Sequence, residues 1–286
     1  MTTGKLQNSL LHPYLDRWQL VADGAPIVTP RAVLLPVRHG GRAAMLKVAT
    51  DAEEKFGNLL LSWWAGDGAA AVFAASDDAV LMERAMGKRS LTTYAQTGRD
   101  DEATEILCDV VAGLHRPRAA PLPPLVPLDI WFADLFPTAA AQGGILARAA
   151  ATARALLADQ RSVRPLHADI HHDNVLDFED RGWLAIDPKR VIGEAGYDYA
   201  NIFCNPDMDH PQPPVSVLPE RFQRRLEIVT SRTGIPHRRL TEWILAYTGL
   251  SAAWIINDGG DPVVDLTVAA FAATGQARFL DRAVQV

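Results

Sequence analysis

The stretch His167-Ala168-Asp169-Ile170-His171-His172-Asp173-Asn174, followed by Ile186-Asp187-Pro188, decides how this chain is read. Asp169 and Asn174 stand five positions apart, and Asp187 comes thirteen positions after Asn174. Between them lie a short apolar run, an Arg181-Gly182 turn and a second apolar run, so short strands are expected at 174–178 and 183–187. His-x-Asp alone is common, and Asp, Asn and Gly between apolar runs often only mark turns. A second Asp at the end of a hairpin, with an upstream Lys in strand context, asks for more than a turn. Adjacent His171 and His172 point in different directions, and no Cys or third His has zinc-ligand spacing.

The layout resembles that of phosphoryl-transfer enzymes of the kinase kind, which read His-Arg-Asp, an Asn five residues after the Asp, and then Asp-Phe-Gly. Here the spacing is kept, while Ala168 replaces Arg and Pro188-Lys189 replaces Phe-Gly. The chain is similar to the small-molecule branch of that fold, the aminoglycoside phosphotransferases. Its string from Leu166 through Asn205 resembles the streptomycin 6-phosphotransferase/hydroxyurea phosphotransferase subgroup. That string includes Arg181-Gly182-Trp183-Leu184-Ala185-Ile186-Asp187-Pro188-Lys189, Gly193-Glu194, Tyr197-Asp198-Tyr199-Ala200-Asn201 and Asn205-Pro206. Ala168 and Asp173 depart from it, standing where relatives commonly carry Gly.

The resemblance implies an α+β, protein-kinase-like, two-lobed fold, with a small N-terminal antiparallel β lobe carrying one helix and a larger, mainly helical C-terminal lobe. The lobes are expected at 1–84 and 85–286, with the hinge about 83–87. The cofactors expected are ATP and Mg²⁺. Asp169 is the expected general base or hydroxyl orienter, with Asn174 and Asp187 as oxygen ligands of magnesium. Lys47 would touch the nucleotide α- and β-phosphates. Glu54 would pair with Lys47, Glu53 being the alternative. Glu83 and Ala85 fall where backbone groups would meet the adenine edge. His167 and Asp198 would brace the catalytic loop. Acidic groups facing a cationic acceptor are expected among Glu194, Asp207, Asp209, Asp258 and Asp261, with Trp254 as a ring platform and the cyclitol 6-hydroxyl of a streptomycin-type antibiotic as acceptor. Hydroxyurea, a metabolic sugar or an amino alcohol is the alternative acceptor, and a non-catalytic kinase-fold binding module the competing class.

Composition bounds these expectations. The 286 residues are 48% hydrophobic and 22% charged, ordinary for a globular chain long enough for two lobes. A net charge of -6 and a pI of about 5.7 disfavour nucleic acid or an anionic membrane as main partner. Cys108 and Cys204, both in apolar contexts, read as buried thiols rather than a disulfide framework. Met1 to Asn8 is polar and no run reaches eighteen apolar residues, so a cytoplasmic enzyme, monomer or homodimer, is expected.

In chain order, Leu10-Leu11, Tyr14-Leu15 and Trp18 suggest a lead-in helix broken at Pro13. The runs Ala32–Val37 and Ala43–Val48 flank His39-Gly40-Gly41-Arg42 and make a hairpin, with Lys47 near its end. No Gly-x-Gly-x-x-Gly precedes it; Gly24-Ala25-Pro26-Ile27-Val28-Thr29 stands there instead, which argues against a protein kinase. Residues 52–65 read as a helix with Phe56, Leu59, Leu60 and Trp63 on one face. Two more strands are expected at 69–74 and 79–82. Beyond them the pattern turns helical, with Asp100-Asp101 as N-cap of a helix closing near His115, and further helices at 128–136, 145–160, 196–204, 217–233, 237–257 and 262–283.

Overall fold

The computed structural model describes residues 3–50 and 52–283; of residues 3–8, 52–57 and 275–283 it describes the backbone alone. The N-terminal part is a six-stranded antiparallel sheet. Its strands are β1 (Val21–Ala22), β2 (Ile27–Val28), β3 (Ala32–His39), β4 (Arg42–Ala49), β5 (Val72–Ala75) and β6 (Ala79–Glu83), in the order β1-β3-β4-β6-β5 with β2 beside β3. Gly40 and Gly41 join β3 to β4 at φ of 54° and 82°, the left-handed pair that a two-residue hairpin turn needs. Helix α1 (Thr3–Arg17) runs through Pro13 without breaking. Packing outweighs the lost hydrogen bond: Leu11 is buried against the sheet, and Tyr14 and Trp18 pack beside it with ring centroids 5.3 Å apart.

Helix α2 (Ala52–Trp64) buries Leu60, Leu61 and Trp64, while Leu59 is 43% exposed. Of the face expected, Leu60 is buried and Trp63 packs on the core, but Leu59 turns outward while Leu61 and Trp64 turn in, because the Trp64 indole reaches the Leu114 carbonyl (3.1 Å) and stacks on His167. The side chains of Glu53, Glu54 and Phe56, and with them the pairing expected for Lys47, lie outside the described residues. After β6 an extended segment is tied to the C-terminal part through Asp177. The Asp177 carboxylate accepts from Arg89 Nε (2.8 Å) and Nη2 (2.6 Å), which hold it at a pKa of about 2, and its carbonyl accepts from the Gly87 N–H (3.0 Å). Gly87 is required there, since a Cβ would sit 2.0 Å from the Asp177 carboxyl carbon.

The rest is mainly helical: α3 (Leu91–Tyr94), α4 (Asp100–Leu114), α5 (Leu128–Trp131), α6 (Leu135–Gln142), α7 (Gly144–Ala158), α8 (Gly196–Ala200), α9 (Pro219–Thr233), α10 (His237–Asn257) and α11 (Val263–Ala283). The single helix expected at 128–136 is two helices, because Ala133 and Leu135 bond the carbonyls three residues back and the chain turns before α6. Unforeseen strands β7 (Val126–Pro127), β8 (Val163–Leu166) and β11 (Val191–Glu194) form a small sheet in the order β7-β11-β8. The hairpin β9 (Val175–Asp177) and β10 (Trp183–Ala185) was foreseen. The loop 167–174 thus hangs between β8 and β9, and the segment 186–190 between β10 and β11. Among the described residues no helix is long and apolar enough to cross a membrane.

Asp100 does not cap α4. It is 2% exposed and accepts both from Arg225, which is 0% exposed, and from Arg221 of α9. Arg225 also donates to the Ile202 and Asn205 carbonyls (2.8 and 2.6 Å). Asp100→Ala would strand a buried guanidinium, and an expected loss of about 3–5 kcal/mol should appear as a lower denaturation midpoint. Asp101→Ala, which breaks only half-exposed pairs with Arg221 and Arg224, should cost under about 1 kcal/mol.

Asp265, in the first turn of α11, is 1% exposed beside Ser251 and Cys204, and neither of its oxygens meets a full hydrogen bond. Burial pushes its carboxyl up to about 6. The folded chain therefore holds this proton more tightly than the unfolded chain, and the stability so gained in acid is lost as pH rises from about 4 through 6. Asp265→Asn is expected to stabilise the protein by up to about 3 kcal/mol at pH 8. In denaturant titrations the gain should vanish as pH falls toward 4.

Candidate active site

Asp198, buried in α8, organises the loop 167–174. Its carboxylate accepts from the backbone N–H groups of His167 (2.9 Å) and Ala168 (2.7 Å) and meets His115 Nε2 at 2.8 Å. These bonds hold Ala168 at φ 63°, a left-handed conformation that a side chain resists and Gly would take freely. The His167 ring is fully buried, and burial lowers its pKa. Its Nδ1 accepts from the Asp169 N–H (3.3 Å), so Nε2 carries the proton and donates to the Ile186 carbonyl (2.8 Å). With the Lys189 N–H on the His167 carbonyl (2.8 Å), this clamps the loop to the segment that carries Asp187.

Asp169 is brought to one point with Asn174, Asp187, Lys47 and Lys189. Asn174 Nδ2 donates to the Asp169 carbonyl (2.8 Å) and carboxylate (3.3 Å). This fixes the amide so that its oxygen stays available as a hard ligand. Asn201 Nδ2 reaches the other Asp169 oxygen at 3.4 Å, and its own Oδ1 accepts from Tyr247 and Asn205. The Asn201 contact is not among the sequence expectations, although a spacing of three puts Asn201 beside Asp198 on a helical turn. Asp187 sits at φ 58° and pairs with Lys47 of β4 on one oxygen and with Lys189 (3.8 Å) on the other. Burial pushes its carboxyl up, but Lys47 and Lys189 outweigh burial and hold it below the ordinary range.

A cavity of about 760 Å³ opens beside Asp169 and Lys189. Trp254 and Asp258 line it, as do Trp131, Asp134 and Asn257. Trp131 and Trp254 meet edge-on at 5.5 Å, and the Trp254 indole N–H donates to Asp134 (3.1 Å). Asp134 gave no sequence signal, being a lone acid between two short helices.

Two residues expected at the acceptor site serve the fold instead. Glu194 is buried, its carboxylate filled by Arg239 (2.9 and 2.6 Å), the Trp243 indole (2.7 Å) and the Arg161 N–H (2.8 Å), so it pins α10 to β11. Asp207 is 2% exposed and accepts the backbone N–H groups of Val215, Ser216 and Val217, closing its loop. Neither has an oxygen left for a ligand. Asp209 lies instead near His171 and Asp173, their ligand atoms within 4.8 Å of one another, while His172 turns into the interior. Glu83 ends β6 with its carboxylate on Arg181, and Ala85 packs with Leu176 and Ile186 on a small apolar cluster around Phe178 and Leu184.

Residues 17–259 match the family model described as aminoglycoside/hydroxyurea antibiotic resistance kinase. The chain is 52% identical over 262 residues to the streptomycin 3''-kinase of Klebsiella pneumoniae, covering 90% of this chain and 98% of the relative. It is 29% identical over 261 residues to the streptomycin 6-kinase of Streptomyces griseus, covering 86% of this chain and 81% of the relative. Its fold is similar to the crystal structure of aminoglycoside phosphotransferase APH(4)-Ia, with a TM-score of 0.66 at 16% identity over 94% of this chain and 99% of the other.

Proposed function

We propose that this chain, which belongs to the aminoglycoside/hydroxyurea antibiotic resistance kinase family, transfers the γ-phosphoryl group of ATP to a hydroxyl of streptomycin. The observation that carries the reading is the placement of Asp169, between the Asp187/Lys47 pair and a cavity edged by Asp134, Asp258 and two tryptophans. In this reading residues 1–84 form the nucleotide-binding lobe and 85–286 the catalytic and acceptor-binding lobe. The apolar surface of Ala85, Leu176 and Ile186 receives the base, next to the backbone of Glu83 and Ala85. Lys47 moves from Asp187 to the nucleotide phosphates.

Asn174 and Asp187 suit Mg²⁺, offering an oriented amide oxygen and a carboxylate held ionised. The metal would supply neutralisation of phosphate charge. Asp169 accepts the proton of the acceptor hydroxyl while the bond from that oxygen to the γ-phosphorus forms. The bond from phosphorus to the bridging oxygen breaks, and ADP leaves with the electron pair.

Streptomycin carries guanidinium groups, which carboxylates bind through paired hydrogen bonds. In this reading Asp134 and Asp258 meet such groups and Trp131 and Trp254 pack on a ring, on the same cavity wall as Arg31 and Arg190. Because these acids are exposed, the KM for streptomycin should rise with added salt more than the KM for ATP. The 52% identity to a 3''-kinase, against 29% to a 6-kinase, favours the 3''-hydroxyl over the cyclitol 6-hydroxyl expected above. Incubation with Mg-ATP and streptomycin, followed by NMR of the product, should place one phosphoryl group on the amino-sugar ring. Phosphate on the cyclitol would favour the 6-hydroxyl instead, and an unmodified antibiotic would contradict the proposal.

A further inference from the structure

Lys189 takes the place of the glycine that closes the kinase Asp-Phe-Gly, and the reading above leaves it without a role. Its ammonium is 3.5 Å from Asp169 Oδ2 and 3.8 Å from Asp187 Oδ2, and its side chain is only 14% exposed. The position is fixed rather than incidental. Pro188 stiffens the chain before it, and its backbone N–H is tied to the His167 carbonyl at 2.8 Å. Lys47 comes to Asp187 from β4, on the opposite oxygen, whereas Lys189 also lines the acceptor cavity.

In phosphoryl transfer the group in flight lies between the carboxylate that takes the hydroxyl proton and the residues that hold the nucleotide phosphates, and its charge is spread over three equatorial oxygens. A cation touching both carboxylates stands beside that group. We propose that Lys189 is a further catalytic residue, whose ammonium bridges Asp169 and the transferred phosphoryl group. It holds the carboxylate toward the acceptor hydroxyl and takes up negative charge on the equatorial oxygens. The Asp187 contact is the longer of the two, so the ammonium turns toward a phosphoryl oxygen without leaving Asp169. Lys189 keeps its protons throughout; the only proton moved goes from the hydroxyl to Asp169. This role rests on the kinase reading.

The test compares native enzyme with Lys189→Met and Lys189→Arg, after thermal melts confirm folding. Turnover, both KM values, Mg-ATP affinity by calorimetry and ATP hydrolysis without acceptor are measured for each. Lys189→Met is expected to lose about 10²–10³-fold in kcat. Mg-ATP affinity should stay within about threefold, since Lys47, Asn174 and Asp187 remain. Hydrolysis without acceptor should fall by a similar factor to kcat, because the same phosphoryl charge is no longer met, and Lys189→Arg should recover part of both. Should Lys189→Met fail to fold, Lys189→Gln is read in the same way. Unchanged kcat overturns the proposal. So does a loss confined to the acceptor KM with hydrolysis unaltered, which would make Lys189 an acceptor-binding group. Native enzyme that turns over no ATP with any acceptor removes the kinase reading itself, an outcome distinct from native turnover retained in Lys189→Met.

Discussion

Replacing Asp169 by Asn is expected to lower turnover by about 10²–10⁴-fold while leaving ATP affinity within a few-fold of the parent. The amide has the size and hydrogen-bonding reach of the carboxylate but cannot take the hydroxyl proton. The fold should tolerate it, because Asp169 is half-exposed and its neighbours Asn174, Asn201 and Lys189 are anchored elsewhere as well. Steady-state kinetics at saturating ATP would measure the change. A variant keeping a third or more of parental turnover would contradict the role.

Asp187→Asn is expected to abolish measurable turnover and to weaken Mg²⁺-dependent ATP binding. Asn is a better probe than Ala, since position 187 has φ 58° and Asn enters that left-handed region more readily. The variant also leaves Lys47 and Lys189 facing a neutral group, so part of the positive charge at the site goes uncompensated in the absence of nucleotide. Calorimetry with and without Mg²⁺ separates the metal contribution from the fold. Mg-ATP bound as tightly as by the parent, with turnover intact, would show that Asp187 holds no metal.

Local signals made much of the molecule readable before its structure was known. The Gly40-Gly41 turn fixed the β3–β4 hairpin because few other dipeptides accept two left-handed residues. Helix α10 spans the 237–257 expected, its start set by Pro236. What escaped depended on partners distant in sequence. Glu194 read as an acid open to a cationic acceptor, and only the fold brings Arg239 and Trp243 onto it. Asp207 looked equally open, yet it caps the returning backbone of residues 215–217. Asp134 became a cleft residue only when Trp254, 120 positions later, packed against it. Strands β8 and β11 are four residues each, too short for alternation to stand out from noise, and β8 contains Pro165. Helix α2 shows the other limit: its periodicity was visible, but the phase of its buried face was set by Leu114 and His167 outside it.

The cleft between Asp169 and Trp254 is proposed to select a guanidinium-bearing antibiotic for ATP-dependent phosphorylation. ADP release measured with Mg-ATP against streptomycin, kanamycin, hydroxyurea and simple sugars tests it most directly. Turnover with streptomycin is expected to lie far above the others and to be lost in Asp169→Asn. Brisk turnover of a neutral sugar with none of streptomycin would contradict it.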